Sequence, residues 1–233
     1  MFMAASTGEV MGTQTDWSGV RERVIAVVEA EHRAHGSEPS PHPIFEPVLT
    51  AAEIAEVEAQ YGVALPEEYR TFLAEVGAGG PGPAIELTSL RRVDGRWGWV
   101  WDEGEPLLLD PSGPFVETED WADQQRATLR TAGHEPTTRD EEEDYLDAYY
   151  EVFGEAGESV WYEERVRGAI HVSDNGCGMT GWLIVVGPHS GELRNRDCAT
   201  NPPFEPYLDA RGNRHTFHSW YLEWLERRER EAG

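Results

Sequence analysis

The sequence contains no lysine: all 19 of its basic residues are arginine, set against 44 acidic ones, for a formal net charge of −25 over 233 residues. A surface this negative repels the phosphates of nucleic acid and the headgroups of anionic membranes, which argues against both as partners. Cysteine is nearly absent. Cys177 and Cys198 are too few for a disulfide framework, and no CxxC spacing points to zinc. Both read as reduced thiols of a cytoplasmic protein. No apolar run approaches the ~20 residues that a membrane span needs. Residues 1–15 lack the basic start and apolar centre of a signal peptide and read as a disordered leader. The Gly/Pro run from Gly77 to Pro83 is not followed by the residues of a phosphate-binding loop, and no period of 20–50 residues recurs.

What remains is acidic and aromatic. Nine tryptophans and a 39% hydrophobic fraction describe a folded chain with enough apolar material for a sizeable core. The carboxylate surplus favours a basic partner, and steering by such a field speeds encounter roughly 10–10³-fold at low salt.

Local signals divide the chain. Asp16 is placed to cap a helix running to about Ala34, with Val20, Val24, Val27 and Val28 on one stripe. Residues 36–43, rich in Pro, Ser and His, form a linker between this N-terminal helix (16–43 with the linker) and a domain spanning 44–226, so that the helix either packs back on the domain or stays peripheral. Thr50 and Glu53 have capping-box spacing ahead of Ile54, Val57 and Tyr61, and Gly62 ends that helix. Pro66, at a first helical position, opens a second helix with Tyr69, Phe72, Leu73 and Val76 on its apolar face. Ile85 to Leu87 is a short strand.

Residues 91–165 read as a long acidic, largely helical insertion. Within it Trp97, Trp99 and Trp101 alternate, which places all three on one strand face. That face is either turned to the core or is an aromatic ledge flanked by Asp102, Glu103 and Glu105. Further on, Trp121 lies in one acidic helix, and Glu141, Glu142, Glu143 and Asp144 crowd the first turn of another. Ala169 to Val172, Gly181 to Val186 and a segment beginning at Gly191 are the central strands, separated by glycine turns. Thr216 caps a last helix with Phe217, Trp220, Tyr221, Trp224 and Leu225 on one broad face.

Two motifs in this order carry a resemblance. Leu65, Pro66, Tyr69, Phe72 and Leu73, followed by Gly77, Gly79 and Gly80, make a Leu-Pro-x-x-Tyr-x-x-Phe-Leu helix with a Gly-rich turn. Gly176 and Gly178 precede the apolar run Leu183 to Val186, which ends in Gly187 with Gly191 beyond it. Together with the aromatic terminal helix they resemble the SUKH superfamily, the Smi–Knr-type domain, over roughly residues 44–226. The resemblance implies an α+β fold with a single curved antiparallel sheet and helices packed against it. It also implies a non-enzymatic binding protein. Bacterial members resemble immunity proteins facing nuclease toxins, and eukaryotic relatives act as regulatory scaffolds. The chain departs from the pattern in carrying Leu193 and Arg194, rather than an aromatic, after Gly191, and in the length of its acidic insertion.

Candidate chemistry is sparse. His32 with His35, and His215 with His218, have helical spacing for two ligands but no third in reach. Cys177 sits in an acidic loop, the wrong setting for an activated thiolate. Neighbouring carboxylates on exposed turns serve as charge more often than as acid–base pairs. No catalytic residue, metal or cofactor is therefore expected. The expected function is stoichiometric occlusion of a basic toxin domain, with Trp97, Trp101 and Trp121 as anchors and residues 141–144 as the acidic contact. The alternative is a scaffold that binds a peptide or protein without a toxin.

Overall fold

The computed structural model describes residues 15–36, 43–101, 104–116, 127, 130–133, 151, 164–197 and 204–232. Four α-helices are found among them: α1 (Val20–Ala34), α2 (Ala51–Tyr61), α3 (Glu67–Glu75) and α4 (Phe217–Ala232). The strands are β1 (Glu86–Leu87), β2 (Ser89–Val93), β3 (Arg96–Val100), β4 (Ala169–Gly176), β5 (Met179–Ile184), β6 (Leu193–Asp197) and β7 (Glu205–Pro206). Five strands form an antiparallel sheet in the order β1-β4-β5-β6-β7, and β2 and β3 form a separate hairpin. The class is α+β, with an open antiparallel sheet and helices against one face.

The capping box forms in full. Thr50 accepts from the Glu53 backbone N–H at 3.2 Å while the Glu53 carboxylate accepts from the Thr50 N–H at 2.8 Å. Thr50→Ala should lower stability by about 1 kcal/mol, read as a shifted urea midpoint at unchanged slope. An unshifted midpoint would show that the cap is replaced by water at no cost. Asp16 does not cap α1 as expected. Its carboxylate accepts from the Ser18 N–H at 2.9 Å, and the helix begins at Val20 after Gly19 in a left-handed conformation.

Of the two placements open to it, α1 takes the packed one and belongs to the same core as the rest. Trp17, Val20, Val24 and Val27 are buried in one cluster with Tyr69, Phe72, Leu183, Phe217 and Tyr221. Trp17 sets its ring edge-on to Phe72 at 5.1 Å and donates its indole N–H to Thr71 at 3.0 Å. Arg23–Glu229 at 2.7 Å and Arg228–Glu31 at 2.6 Å tie α1 to α4 on the outside.

The Gly-rich turn after α3 exists because backbone must pass close to backbone. A Cβ on Gly79, whose φ is 156°, would stand 2.8 Å from the Ser89 Cα, and Leu90 donates its N–H to the Ala78 carbonyl across the same approach. This turn delivers the chain to β1, at the sheet edge, and to the β2–β3 hairpin. The hairpin is core, not insertion. Trp99 is fully buried and donates to the Tyr69 hydroxyl at 3.1 Å. Trp97 is docked on α2, with its carbonyl accepting from Gln60 at 2.7 Å and Tyr61 at 2.8 Å, and Arg92 lying over its ring at 4.4 Å. Residues 91–100 thus belong to the packed fold, and an acidic insertion begins no earlier than the end of β3.

A bulge in β4 decides what the sheet presents. His171 pairs with Trp182 but Ser173 pairs with Gly181, so one extra residue, Val172, sits on β4. An added residue reverses the alternation beyond it. His171 and Asp174, three apart, therefore share a face with Thr180, Trp182, Arg194 and Arg196. The opposite face, bearing Ile170, Leu183 and Leu193, packs into the helical core. The β4–β5 hairpin closes through Cys177 and Gly178 at φ of 54° and 79°, the positive values that a two-residue hairpin turn requires.

Candidate functional site

Most cations in the described residues are spent within the chain. Arg23, Arg70, Arg92, Arg167, Arg194, Arg214 and Arg228 each pair with a carboxylate, to Glu229, Glu58, Glu56, Asp110, Glu192, Glu192 and Glu31 respectively. Arg21 donates to the Val76 carbonyl. Arg165 and Arg196 are buried, each with its guanidinium near the Phe204 ring, at 5.8 and 5.7 Å. With these arginines neutralised internally and acids outnumbering bases 44 to 19, the net outward field is negative.

The sheet face away from the helices carries a buried polar array. His171 is 4% exposed and lies 2.6 Å from the Thr88 hydroxyl, edge-on to Trp182 at 5.1 Å. Burial drives its pKa down to about 4; Asp174 opposes that shift and Arg196 adds to it. Trp101, 45% exposed, lies 6.4 Å from the His171 ring and is the solvent-facing member of the Trp97, Trp99, Trp101 series. Val166, Ala169, Trp182 and Phe204 form a small second cluster on this side, with Leu109 and Phe115 against it.

A cleft of about 580 Å³ opens at the other end of the molecule, where three chain segments converge. Pro66, Glu67 and Glu68 come from the entrance to α3. Pro188, Ser190, Gly191 and Glu192 come from the loop after β5, and Arg214 to Phe217 lead into α4. Glu192 anchors the cleft wall. Its carboxylate takes His189 at 2.9 Å, Arg194 at 2.8 Å and Arg214 at 2.5 Å. Those three donors hold Glu192 below the usual carboxylate range despite partial burial. Glu68 accepts the His218 backbone N–H at 3.0 Å, joining the α3 and α4 entrances.

The residues singled out in the sequence fall in different places. Leu65, Tyr69, Phe72 and Leu73 are core. Pro66 is the residue just before α3 and, with Gly191, lines the cleft. Gly79 makes the backbone crossing described above, Gly77 lets the Phe45 ring and the Glu46 carbonyl approach to 3.0 and 3.1 Å of where a Cβ would stand, Gly176 and Gly178 form the hairpin tip, and Gly187 and Gly191 bracket the β5–β6 loop with φ of 72° and 91°. Trp97 is 6% exposed and its indole is closed against α2, so it presents no face to a partner. Trp121, Glu141, Glu142, Glu143, Asp144 and Cys198 lie outside the described residues. The histidine pairs are engaged separately: His35 with the Glu31 carbonyl, His215 with Ser219 and Glu223, His218 with the Asp16 carbonyl. Among the described residues no group of three or more His, Cys, Asp or Glu is arranged to hold a metal. Cys177 is exposed at the hairpin tip, while His171 and His189 are bonded to Thr88 and Glu192. Among the described residues no helix is long and apolar enough to cross a membrane.

The cleft was not found by reading along the chain. Its walls come from residues 66–68, 188–192 and 214–217, which only the fold joins. The one available signal was that both motifs contain positions, Pro66 and Gly191, that lie outside the apolar stripes.

An open antiparallel sheet backed by a capped Leu-Pro helix and an aromatic terminal helix, with a carboxylate-rich exterior, defines an α+β domain of the Smi–Knr type. The family model of the SMI1 / KNR4 family (SUKH-1) matches residues 48–184, more than half of the chain, and the protein belongs to that family. No curated protein and no solved structure matches it.

Proposed function

We propose that the protein is a non-enzymatic immunity protein that neutralises a basic toxin domain by stoichiometric occlusion in the cytoplasm. Family membership is consistent with this reading. The observation that carries it is the charge: −25 overall, with many of the arginines of the described residues committed to internal pairs or burial. A nuclease-type toxin has to expose a cationic surface to hold phosphates, and such a surface is complementary to this one. Trp101 supplies an exposed aromatic anchor, the residue type that dominates binding energy at interfaces. We extend the contact to Trp121 and to the acidic run Glu141, Glu142, Glu143 and Asp144.

The direct test is to look for a toxin domain encoded beside this chain's gene and to coexpress the two; a neighbourhood without one favours a scaffold that binds a protein or peptide. Cells carrying both should survive, cells with the toxin alone should die, and the two chains should co-purify one to one. Toxin-bearing cells that survive equally without this protein would end the proposal. Steering adds a kinetic expectation. Association with the toxin should slow by about 10–10³-fold as the Debye length shrinks from ~10 Å at 0.1 M salt to ~3 Å at 1 M. A salt-independent on-rate would remove charge from the account.

A further inference from the structure

We propose that the cleft between the α3 entrance, the β5–β6 loop and the α4 entrance receives an arginine side chain of the protein partner. It would thereby anchor a basic partner at one place, rather than over the acidic surface at large. This rests on the reading of a basic protein partner and names the site and the chemistry that hold it.

The cleft is open to solvent, and its volume, about 580 Å³, is enough to take a long side chain. Its lining is divided in the way an arginine is divided. Pro66, Pro188 and Phe217 offer apolar surface for the methylene stem, and Glu67 and Glu68 offer carboxylates for the head. Three carboxylates and one guanidinium line it, an excess of negative charge. Arg214, the one cation, is held on Glu192 at 2.5 Å, and Glu192 is also engaged by Arg194 and His189. Glu192 is therefore saturated, and Glu67 and Glu68 are the acceptors left for an incoming cation. Glu67 has a side chain 73% exposed and shares Arg70 at 3.3 Å, a surface pairing that costs little to exchange. Glu68 uses one oxygen on the His218 N–H and so is fixed in place facing the entrance. Two full negative charges outweigh the positive end of the α3 dipole, about half a charge. A planar guanidinium, which forks onto carboxylates and lies flat on apolar rings, suits this arrangement better than an ammonium.

The test uses the full chain, ¹⁵N-labelled, titrated at low salt with the blocked peptide acetyl-Gly-Arg-Gly-amide. The neutral control is the same peptide with citrulline. The expected result is a saturable shift of the Glu67, Glu68, Ser190, Gly191 and Thr216 amides with the arginine peptide only. The double variant Glu67→Gln with Glu68→Gln, which keeps an oxygen acceptor for His218, should weaken binding roughly tenfold, the effect of losing a charge-assisted pair. Removing the same charge from α1, by Glu22→Gln with Glu29→Gln, should leave it unchanged. Shifts spread evenly over the acidic residues of α1 and α2, equal binding of the citrulline peptide, or absence of saturable shifts would each overturn the proposal. The two readings fail separately. Toxin capture without cleft shifts sinks the arginine site and leaves the immunity function, whereas cleft shifts without toxin capture do the reverse.

Discussion

Trp99→Ala should lower the stability of the protein by about 3–5 kcal/mol, the range for deleting a buried tryptophan. Three separate losses combine at this position. Trp99 is 0% exposed, so the truncation leaves a cavity bounded by α2, α3 and the hairpin. Its ring lies 4.8 Å from that of Tyr61, a contact that disappears. Its indole N–H is also the partner of the Tyr69 hydroxyl, which lies fully buried; a polar group left unbonded there costs about 1–3 kcal/mol. Trp99→Phe helps to separate these contributions, since it keeps an aromatic ring and much of the volume while removing the N–H. Urea unfolding of the two variants measures both. Trp99→Ala losing less than Trp97→Ala, at equal slope, would contradict the placement of Trp99 at the centre of the hairpin's packing.

The second large effect is pH-dependent. His171 is held neutral by burial, with a pKa of about 4 in the folded chain against about 6.5 when unfolded. A folded pKa that is depressed means the unfolded chain binds the extra proton between these values. Stability therefore rises with pH across that window, is fully present above about 6.5, and is lost as pH falls towards 4. The difference corresponds to about 3 kcal/mol. The groups around the ring act on this in opposite senses: Asp174 favours the imidazolium, Arg196 disfavours it, and Thr88, Trp182 and Trp101 surround it without charge. Carboxylates also titrate near the lower end of the window, so the reading is differential. Stability measured at pH 6.5, 5.5 and 4.5 should fall more steeply for the parent chain than for His171→Gln, whose amide can still bond Thr88. Parallel curves would show that His171 is solvated and titrates normally.

The elements that formed where the sequence placed them are those whose signals are local. The Thr50–Glu53 box, the stripe of Tyr69, Phe72 and Leu73, and the α4 face of Phe217, Trp220, Tyr221 and Leu225 each rest on spacing within a few residues. The central strands were legible for the same reason, since glycine brackets a β-branched run that has to be covered on both faces. Trp97 shows where such reading stops. A period of two places it on a face, but it does not say whether α2 or solvent lies against that face. Gln60, Tyr61 and Arg92 make that choice, from 36–37 residues away in the first two cases. The acidic start of the insertion was misplaced by the same limit, because charge density along the chain does not reveal that residues 91–100 return to the core.

The sequence alone determined the class of fold, its family motifs and the sign of its surface, because composition and short-range periodicity need no knowledge of what packs where. The tertiary structure decided three further things. It seated α1 in the common core through Trp17 and the valine stripe. It set His171 and Asp174 on one face through a single-residue bulge. It assembled a cleft from residues 66–68, 188–192 and 214–217. The first and third depend on contacts between segments far apart in the chain, and the second on strand register, so that burial and pairing, rather than local preference, set the free energy.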